Sequence, residues 1–383
     1  MKIKLYNKID NIGLKILDTK YEVGENVNEE DGVLVRSANL LEEEFSSNLK
    51  AIARAGAGVN NIPIDKCSEK GIVVFNTPGA NANAVKELTL CALFLSSRGV
   101  IDGREWAKTL SQEDFAKQVE KGKSAFAGNE IYGKKLAVIG LGAIGVNVAN
   151  AALNLGMEVM GYDPYISVDS AWLLNRQVKH MTSIQELLKD ADYLTIHIPS
   201  TKETKGFINE ELLNEMKDGI RIINLARGDL IIEEDLIKAL NSGKVSKYIT
   251  DFGSKNLCDN KGAIVLPHLG ASTVESEENC AIMAVKELKD YLENGNINNS
   301  VNMPSIVEPW STSHRICIIH KNVPNMLAQF ATIVGNNSIN IENMYNKARN
   351  NYAYTIIDTN DNVDVKSLQT IDNVIKVRIL EKV

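Results

Sequence analysis

A glycine-rich turn between an apolar strand and a helix constrains the fold of this 383-residue chain more than any other feature. The stretch at residues 135–139 is short, apolar and β-branched, which is typical of a strand, and the residues after the turn have helical apolar spacing. Gly140 allows the tight turn, Gly142 lets the backbone approach a pyrophosphate, and Gly145 lets the helix pack closely on the strand. The pattern predicts a dinucleotide-binding domain.

The start of that helix and an acidic residue further on support the same prediction. The helix N-terminus, with Ala143 and Ile144 in its first turn, offers N–H groups and positive potential to the phosphates. Asp163 ends the next predicted strand, where its carboxylate can accept both ribose hydroxyls but would repel a 2′-phosphate. The expected cofactor is therefore NAD rather than NADP. A GxGxxG motif alone is a weak signal, and the strand, helix and acid in register strengthen it.

Composition and charge argue against several other classes of protein. The formal net charge of −7 leaves no global basic field for nucleic acid or a membrane surface. No apolar run reaches the ~20 residues of a membrane span, and the first residues, MKIKLYNKI, lack the apolar core of a signal peptide. The five cysteines and five histidines are scattered without metal-binding spacing. We therefore expect a cytoplasmic protein with no structural metal and no nucleic-acid or membrane partner.

Strand and helix patterns alternate along most of the chain, which predicts the α/β class. Apolar strands separated by helices indicate a parallel sheet covered on both faces. A tract rich in Asn, Ser and Pro at residues 295–309 is typical of a linker. Beyond it, residues 311–383 have the βαββαβ order of a small ferredoxin-like fold. The weakly charged helix at residues 85–97 indicates a domain or subunit contact.

Ligands of open parallel sheets bind beyond the carboxyl ends of the strands, and polar residues follow several predicted strands here: His197, Asn224, Arg227, Asp251 and His268. Chemistry beside a bound dinucleotide commonly needs a general base and a group that binds an anion. His268 fits the first role and the planar fork of Arg227 fits the second. The alternatives are a hydrogen-bonded loop histidine and a surface arginine.

Several motifs occur together in an order that resembles the D-isomer-specific 2-hydroxyacid dehydrogenase family. They are RAGAGVNNI (54–62), FNTPGAN (75–81), the GLGAIG turn, HIP (197–199), INLARGD (223–229), TDFG (250–253) and PHLGAST (267–273). The resemblance implies two Rossmann-like, doubly wound parallel-sheet domains. One is a substrate-binding domain at residues 1–95 and 272–305, and the other is an NAD-binding Rossmann domain at 96–271. A ferredoxin-like ACT regulatory domain would follow at 311–383. The resemblance further implies an active site in the cleft between the first two domains, where closure excludes water.

Within this family the chain is most similar to members that act on D-3-phosphoglycerate. The resemblance implies NAD-dependent oxidation of D-3-phosphoglycerate to 3-phosphohydroxypyruvate, the first step of L-serine biosynthesis. One alternative is another D-2-hydroxyacid dehydrogenase, such as a hydroxypyruvate or glyoxylate reductase. A second alternative is a non-catalytic NAD sensor built on the same scaffold.

The resemblance also assigns site residues, and one expected residue is missing. Arg227 corresponds to the family's catalytic arginine. The usual glutamate partner of the histidine has no counterpart, because no acidic residue lies between Asp251 and Asp259 and the loop is short. Lys255 lies nearest its place, and we leave the role open between Lys255, Asp259 and no residue at all.

Residues for the coenzyme, the substrate and an effector follow from the same resemblance. The remaining coenzyme residues are Thr77, Ile198, Leu225, Asp251 and Gly270, and the loop with Ala57 and Gly58 would present backbone N–H groups to the substrate carboxylate. Arg36 and Arg54 are candidates for the substrate phosphate, because a dianion needs more than one cation. The alternative for Arg36 is a surface charge at a strand end. An L-serine effector would bind His320, Asn322 and Asn340 across a pair of C-terminal modules, which implies a homodimer or homotetramer. The alternative is a dimerisation module without a ligand. Asn325 replaces a common glycine, and asparagine tolerates a positive φ.

Overall fold

The computed structural model of the chain describes residues 1–382. The chain forms two compact units, one made of Met1–Asn81 with Glu277–Val383 and the other of Ala82–Ser276. Among the described residues, no helix has the length and apolarity needed to cross a bilayer.

The N-terminal part of the first unit is a five-stranded parallel sheet with short helices. Its elements are β1 (Lys2–Leu5), α1 (Asn11–Leu14), β2 (Glu22–Gly24), β3 (Gly32–Val35), β4 (Ala51–Arg54), α2 (Ile64–Glu69) and β5 (Val73–Phe75). The spatial order is β2-β1-β3-β4-β5. Val33, Leu34 and Val35 are fully buried, as expected for a central strand of a sheet covered on both faces.

The second unit is a seven-stranded parallel sheet flanked by helices. Its strands are β6 (Lys135–Ile139), β7 (Glu158–Tyr162), β8 (Lys179–His180), β9 (Tyr193–Ile196), β10 (Ile220–Asn224), β11 (Val245–Thr250) and β12 (Ala263–Val265). Its helices are α3 (Ala82–Ser97), α4 (Val100–Lys108), α5 (Phe115–Gly122), α6 (Ala143–Asn154), α7 (Val168–Leu173), α8 (Ile184–Lys189), α9 (Glu210–Glu215), α10 (Glu233–Ser242) and α11 (Lys255–Cys258). The order β12-β11-β10-β9-β6-β7-β8 reverses beside β6 and β9, the switch point where such sheets bind ligands.

The sequence places the first domain boundary at residue 95, within the helix α3. In the structure α3 packs against α6 and belongs wholly to the second unit. The hydroxyl of Ser97 at its end shares a hydrogen bond with the Tyr193 hydroxyl at 2.8 Å. These contacts explain why the second unit begins at Ala82.

The first unit resumes in α12 and ends in an antiparallel sheet. The elements are α12 (Val274–Asn294), β13 (His314–Lys321), α13 (Met326–Asn336), β14 (Asn343–Arg349), β15 (Tyr352–Thr359), α14 (Val365–Gln369) and β16 (Val374–Glu381). The strand order is β14-β15-β13-β16, which is the ferredoxin-like arrangement. The predicted fold class, two doubly wound parallel sheets and a βαββαβ module, is confirmed.

One apolar core joins the N-terminal sheet, α12 and the C-terminal module within the first unit. Gly32 leaves room for α12, since a Cβ there would lie 3.1 Å from the Leu288 side chain. Arg315 and Asp358 form an ion pair at 2.7 Å with both side chains fully buried. The same guanidinium donates to the carbonyl of Asn294, the last residue of α12, at 3.0 Å. The module is therefore anchored on α12 by apolar and charged contacts.

Candidate active site

Two of the three glycines in the turn after β6 are closely packed, and the third borders open space. Gly140 has φ +88°, and a Cβ there would lie 2.6 Å from the carbonyl oxygen of His197. A Cβ on Gly145 would lie 1.9 Å from the Gly140 carbonyl oxygen. A Cβ on Gly142, in contrast, would meet nothing within 4 Å. The open side of Gly142 is the space that a pyrophosphate lying on this turn would need.

The groups around the turn suit a dinucleotide. Gly142 is the N-cap of α6 and makes no side-chain cap, so the N–H groups of Ala143 and Ile144 lack an intrahelical acceptor. Asp163 accepts the Leu141 N–H through Oδ2 and the Tyr165 N–H through Oδ1, both at 2.8 Å. Each carboxylate oxygen keeps a further lone pair for a hydroxyl donor.

Two apolar residues and a histidine lie beside the turn. Leu225 follows β10 and is buried, and Ile198 follows β9 with its Cγ2 atom 2.8 Å from the place of a Cβ on Gly140. The Nε2 atom of His197 and the Thr195 hydroxyl share a hydrogen bond at 3.0 Å. Burial lowers the pKa of His197 to about 4, so this imidazole is neutral near pH 7.

Asp251 follows β11 and offers a buried carboxylate oxygen. Its Oδ2 accepts the N–H of the buried Gly270 at 2.9 Å, whereas Oδ1 is buried without a hydrogen-bond partner among residues 1–382. Burial raises the pKa of the Asp251 carboxyl above its usual value, and the Gly270 N–H opposes that shift. An unpaired buried oxygen is uncommon in a folded protein and calls for an explanation, such as a functional role.

Arg227 and His268 come together on one aromatic ring. The guanidinium carbon of Arg227 lies 5.6 Å from the centroid of the Phe252 ring, and the His268 ring lies 4.4 Å from it. Both side chains are exposed. The buried Asn224 fixes the backbone of Arg227, accepting its N–H at 3.3 Å and donating to its carbonyl at 2.8 Å. A base and a cation thus lie near each other at the carboxyl edge of the sheet.

Neither Lys255 nor Asp259 forms a hydrogen bond or an ion pair with His268 in the described residues 1–382. They form an ion pair with each other at 2.6 Å across the exposed turn of α11. This hydrogen bond raises the pKa of Lys255. Within residues 1–382, the His268 ring has no hydrogen bond to a carboxylate, and it packs against the Phe252 ring. The motif TDFG contains Phe252, but nothing in the sequence pattern alone marks that ring as a contact.

The predicted substrate residues of the first unit lie at one edge of its sheet. Arg54 ends β4 and pairs in register with Val35, the residue before Arg36. Arg36 forms an exposed ion pair with Glu277 at 2.7 Å. Gly56 has φ +154°, and a Cβ there would lie 2.2 Å from Nη1 of Arg54. Arg36 and Arg54 therefore lie at the same edge of the sheet, at the ends of the neighbouring strands β3 and β4.

The loop after β4 is held by residues after β5. The Asn76 amide donates to the Ala57 carbonyl, the residue before Gly58, at 2.6 Å. The N–H of Thr77 donates to the Gly56 carbonyl at 3.1 Å, and the buried Thr77 hydroxyl has no hydrogen-bond partner among residues 1–382. Asn76 lies in the quoted motif FNTPGAN, but its role in holding this loop was not predicted.

The three predicted effector residues differ in burial and in how far their polar atoms already form hydrogen bonds. His320 is buried, and its ring nitrogens contact the Thr355 hydroxyl at 2.9 Å and the Lys321 carbonyl at 2.8 Å. Burial lowers the pKa of His320. Asn322 and Asn340 are exposed and make local hydrogen bonds. Asn325 adopts φ +69°, so the expected positive φ at this position is confirmed.

The chain is similar to a family model and to several known proteins. Residues 92–270 match the model of the D-isomer specific 2-hydroxyacid dehydrogenase, NAD binding domain. A D-3-phosphoglycerate dehydrogenase of Methanocaldococcus jannaschii is 36% identical over 313 residues, which cover 79% of this chain and 58% of that protein. One from Synechocystis sp. is 33% identical over 325 residues, which cover 80% and 56%. The chain thus spans less than two thirds of the length of these relatives.

A solved structure gives the same family likeness. It is an NAD+-bound 3-phosphoglycerate dehydrogenase of Entamoeba histolytica, with a TM-score of 0.62 and 29% identity. The match covers 79% of this chain and 98% of that one.

Proposed function

We propose that the chain is a member of the D-isomer-specific 2-hydroxyacid dehydrogenase family, which it resembles in residues 92–270, and that it catalyses NAD-dependent oxidation of D-3-phosphoglycerate to 3-phosphohydroxypyruvate. The observation that supports this most is the convergence of Arg227 and His268 on the Phe252 ring, at the carboxyl edge of the sheet with the open glycine turn. A sheet of this kind binds its ligands at that edge.

The residues divide the chemistry of a hydroxy acid between them. Arg227 binds the carboxylate through its planar fork and stabilises negative charge on the C2 oxygen. The imidazole of His268 removes the hydroxyl proton, acting as a general base. NAD, when bound, accepts the hydride from C2. Gly142, the first turn of α6 and Asp163 would hold the coenzyme, and the unpaired Oδ1 of Asp251 would orient its carboxamide.

The preference for a phosphorylated substrate rests on the first unit. A phosphate dianion needs more than one cation, and Arg36 and Arg54 lie at the ends of neighbouring strands. The ion pair of Arg36 with Glu277 is exposed, so exchange of that partner for phosphate costs little.

A rate assay that follows NADH tests this proposal. D-3-phosphoglycerate should be oxidised with a kcat/KM at least about 100-fold above that of D-glycerate, because loss of charge-assisted contacts to the phosphate costs several kcal/mol. Arg227→Ala serves as the inactive control. Preference for an unphosphorylated acid would point to a hydroxypyruvate or glyoxylate reductase. No turnover with any hydroxy acid would favour the NAD sensor.

We further propose that the product pathway is L-serine biosynthesis and that L-serine acts on the C-terminal module of a homodimer or homotetramer. The exposed amides of Asn322 and Asn340 support a ligand role at the module surface. The same assay with and without L-serine tests regulation, and light scattering measures the oligomeric state. Unchanged rates at saturating serine would leave the module a purely structural one.

A further inference from the structure

The Phe252 ring touches both groups that the proposed reaction uses. Its centroid lies 4.4 Å from that of the His268 ring, with the planes tilted by 54°, and 5.6 Å from the guanidinium carbon of Arg227. Both distances are within the range of favourable aromatic and cation–π contacts. A single ring therefore links the imidazole and the guanidinium.

The backbone on either side of Phe252 is fixed, so the ring is a defined platform. The Phe252 N–H donates to the Thr250 hydroxyl at 3.0 Å. Two residues further on, the Ser254 hydroxyl donates to the Glu233 carboxylate at 2.7 Å. Gly228 allows the close approach, since a Cβ there would lie 3.2 Å from both the Cβ and the carbonyl oxygen of Phe252. Gly228 directly follows Arg227, so this packing also holds the backbone of Arg227 close to Phe252.

Among residues 1–382, no charged side chain forms a hydrogen bond or a close ion pair with the His268 ring, and the Asp251 carboxylate interacts with it only electrostatically. Lys255 and Asp259 pair with each other on the exposed turn of α11, and the Glu233 carboxylate is engaged by Ser254. Asp251 uses Oδ2 for the Gly270 N–H. Among residues 1–382, the ring of His268 has no hydrogen bond to a carboxylate, and the aromatic contact takes the corresponding place.

We propose that Phe252 is a positioning residue that orients His268 and Arg227 toward one substrate; this rests on the proposed function. The ring has no proton to exchange and takes no chemical part. It restricts the rotation of two exposed side chains, and such restriction lowers the cost of reaching the reactive geometry. The residue should therefore affect turnover much more than coenzyme binding.

The test compares Phe252→Leu, Phe252→Tyr and a matched control, Phe126→Leu, in the full chain. Phe126 is also partly buried in the second unit and also contacts a ring, that of Trp106 at 5.1 Å. Phe252→Leu should lower kcat about 10- to 100-fold, because small misplacement of reacting groups has effects of that size. The KM for NAD should stay within about twofold, since the ring lies outside the glycine turn. Phe252→Tyr keeps an aromatic face and should restore most of the kcat.

Three results would overturn the proposal: an unchanged kcat in Phe252→Leu, a similar loss in Phe126→Leu, or no recovery in Phe252→Tyr. A readout without turnover separates this idea from the proposed function. At this distance the Phe252 ring should shift the proton NMR signals of the His268 ring, and the His268→Gln variant assigns those signals. Phe252→Leu should remove that shift even if no hydroxy acid is oxidised. An unaltered His268 signal would show that the ring does not hold the imidazole, whatever the enzyme's activity.

Discussion

Selected residues of the second unit and of the C-terminal module differ in whether their polar atoms, or the space beside them, are already occupied by other residues. At the edge of the seven-stranded sheet, Gly142 faces open space and Asp251 keeps a buried oxygen without a partner among residues 1–382. In the C-terminal module, His320 uses both ring nitrogens for internal hydrogen bonds, and Arg315 is fully buried on Asp358. The first set has unused binding capacity, whereas the second set stabilises the fold.

The difference teaches that a motif residue is best judged by what its polar atoms already bind. Replacing a residue whose polar atoms or neighbouring space are unused should change activity but not stability. Replacing a residue whose polar atoms already bind other residues should change stability but not activity. Variants of both kinds of residue test this distinction.

Replacement of the proposed general base should give the largest effect on activity. His268→Gln should lower kcat/KM for D-3-phosphoglycerate about 1,000-fold, because it removes the imidazole that we propose accepts the hydroxyl proton. Its free energy of unfolding should change by less than about 0.5 kcal/mol, since the side chain is exposed. Steady-state rates and urea unfolding measure the two quantities. A large loss of stability would show that the His268 side chain stabilises the fold.

Removal of a buried charge should give the largest effect on stability. Arg315→Met leaves the Asp358 carboxylate buried without its partner, which should lower the free energy of unfolding by about 3–5 kcal/mol. The double variant Arg315→Met with Asp358→Leu should recover much of that loss, because it removes both charges. Chemical denaturation followed by circular dichroism gives these values. Equal stability of the single and double variants would contradict the account.

Acid should destabilise the second unit through His197. Burial lowers its pKa to about 4, whereas an unfolded imidazole has a pKa near 6.5, so the unfolded chain binds more protons at pH 5. The stability from His197 should therefore fall by about 2 kcal/mol between pH 7.5 and pH 5. His197→Asn should flatten this part of the stability curve. Hydrogen exchange of the β9 amides at both pH values measures it, and an identical slope in the variant would be the contrary result.

Alanine at the two glycines of the turn should separate binding from folding. Gly142→Ala should keep its melting temperature and weaken NAD binding about tenfold, because the methyl group enters the open space. Gly145→Ala should also lower the melting temperature, since its Cβ would lie 1.9 Å from a backbone oxygen. Calorimetry of NAD binding and thermal unfolding distinguish them. Normal NAD affinity in Gly142→Ala would show that the space is not a coenzyme site.

The exposed pair on α11 should give the smallest effect. Lys255→Ala and Asp259→Ala should each leave kcat within about twofold and stability within about 0.5 kcal/mol, as is typical of exposed ion pairs. The pH–rate profiles should superimpose on that of the parent protein. A displaced acidic limb in either variant would identify that residue as the missing partner of His268.

Local pattern predicted the parts of the fold that depend on nearby residues. The strand, turn and helix around Gly140, the βαββαβ order of the C-terminal module and the positive φ of Asn325 follow from spacing and backbone sterics. The strand order of the large sheet agrees with the doubly wound class expected from alternating strands and helices.

Side-chain partners depend on contacts that local spacing does not encode. Glu277 lies 241 residues from Arg36, and Thr355 lies 35 residues from His320. The contact of Phe252 with both Arg227 and His268 needs the register of β10, β11 and the loop before α12, together with the small Gly228. Such partners follow from the tertiary structure rather than from any one motif.

Transfer of an isotope label tests the central claim most directly. The protein is mixed with NAD and D-3-phosphoglycerate that has deuterium at C2, and the coenzyme is analysed by mass spectrometry. The account predicts one deuterium in the reduced coenzyme with the parent protein and none with Arg227→Ala. Unlabelled reduced coenzyme, or no reduction at all by the parent protein, would contradict hydride transfer from that carbon at this site.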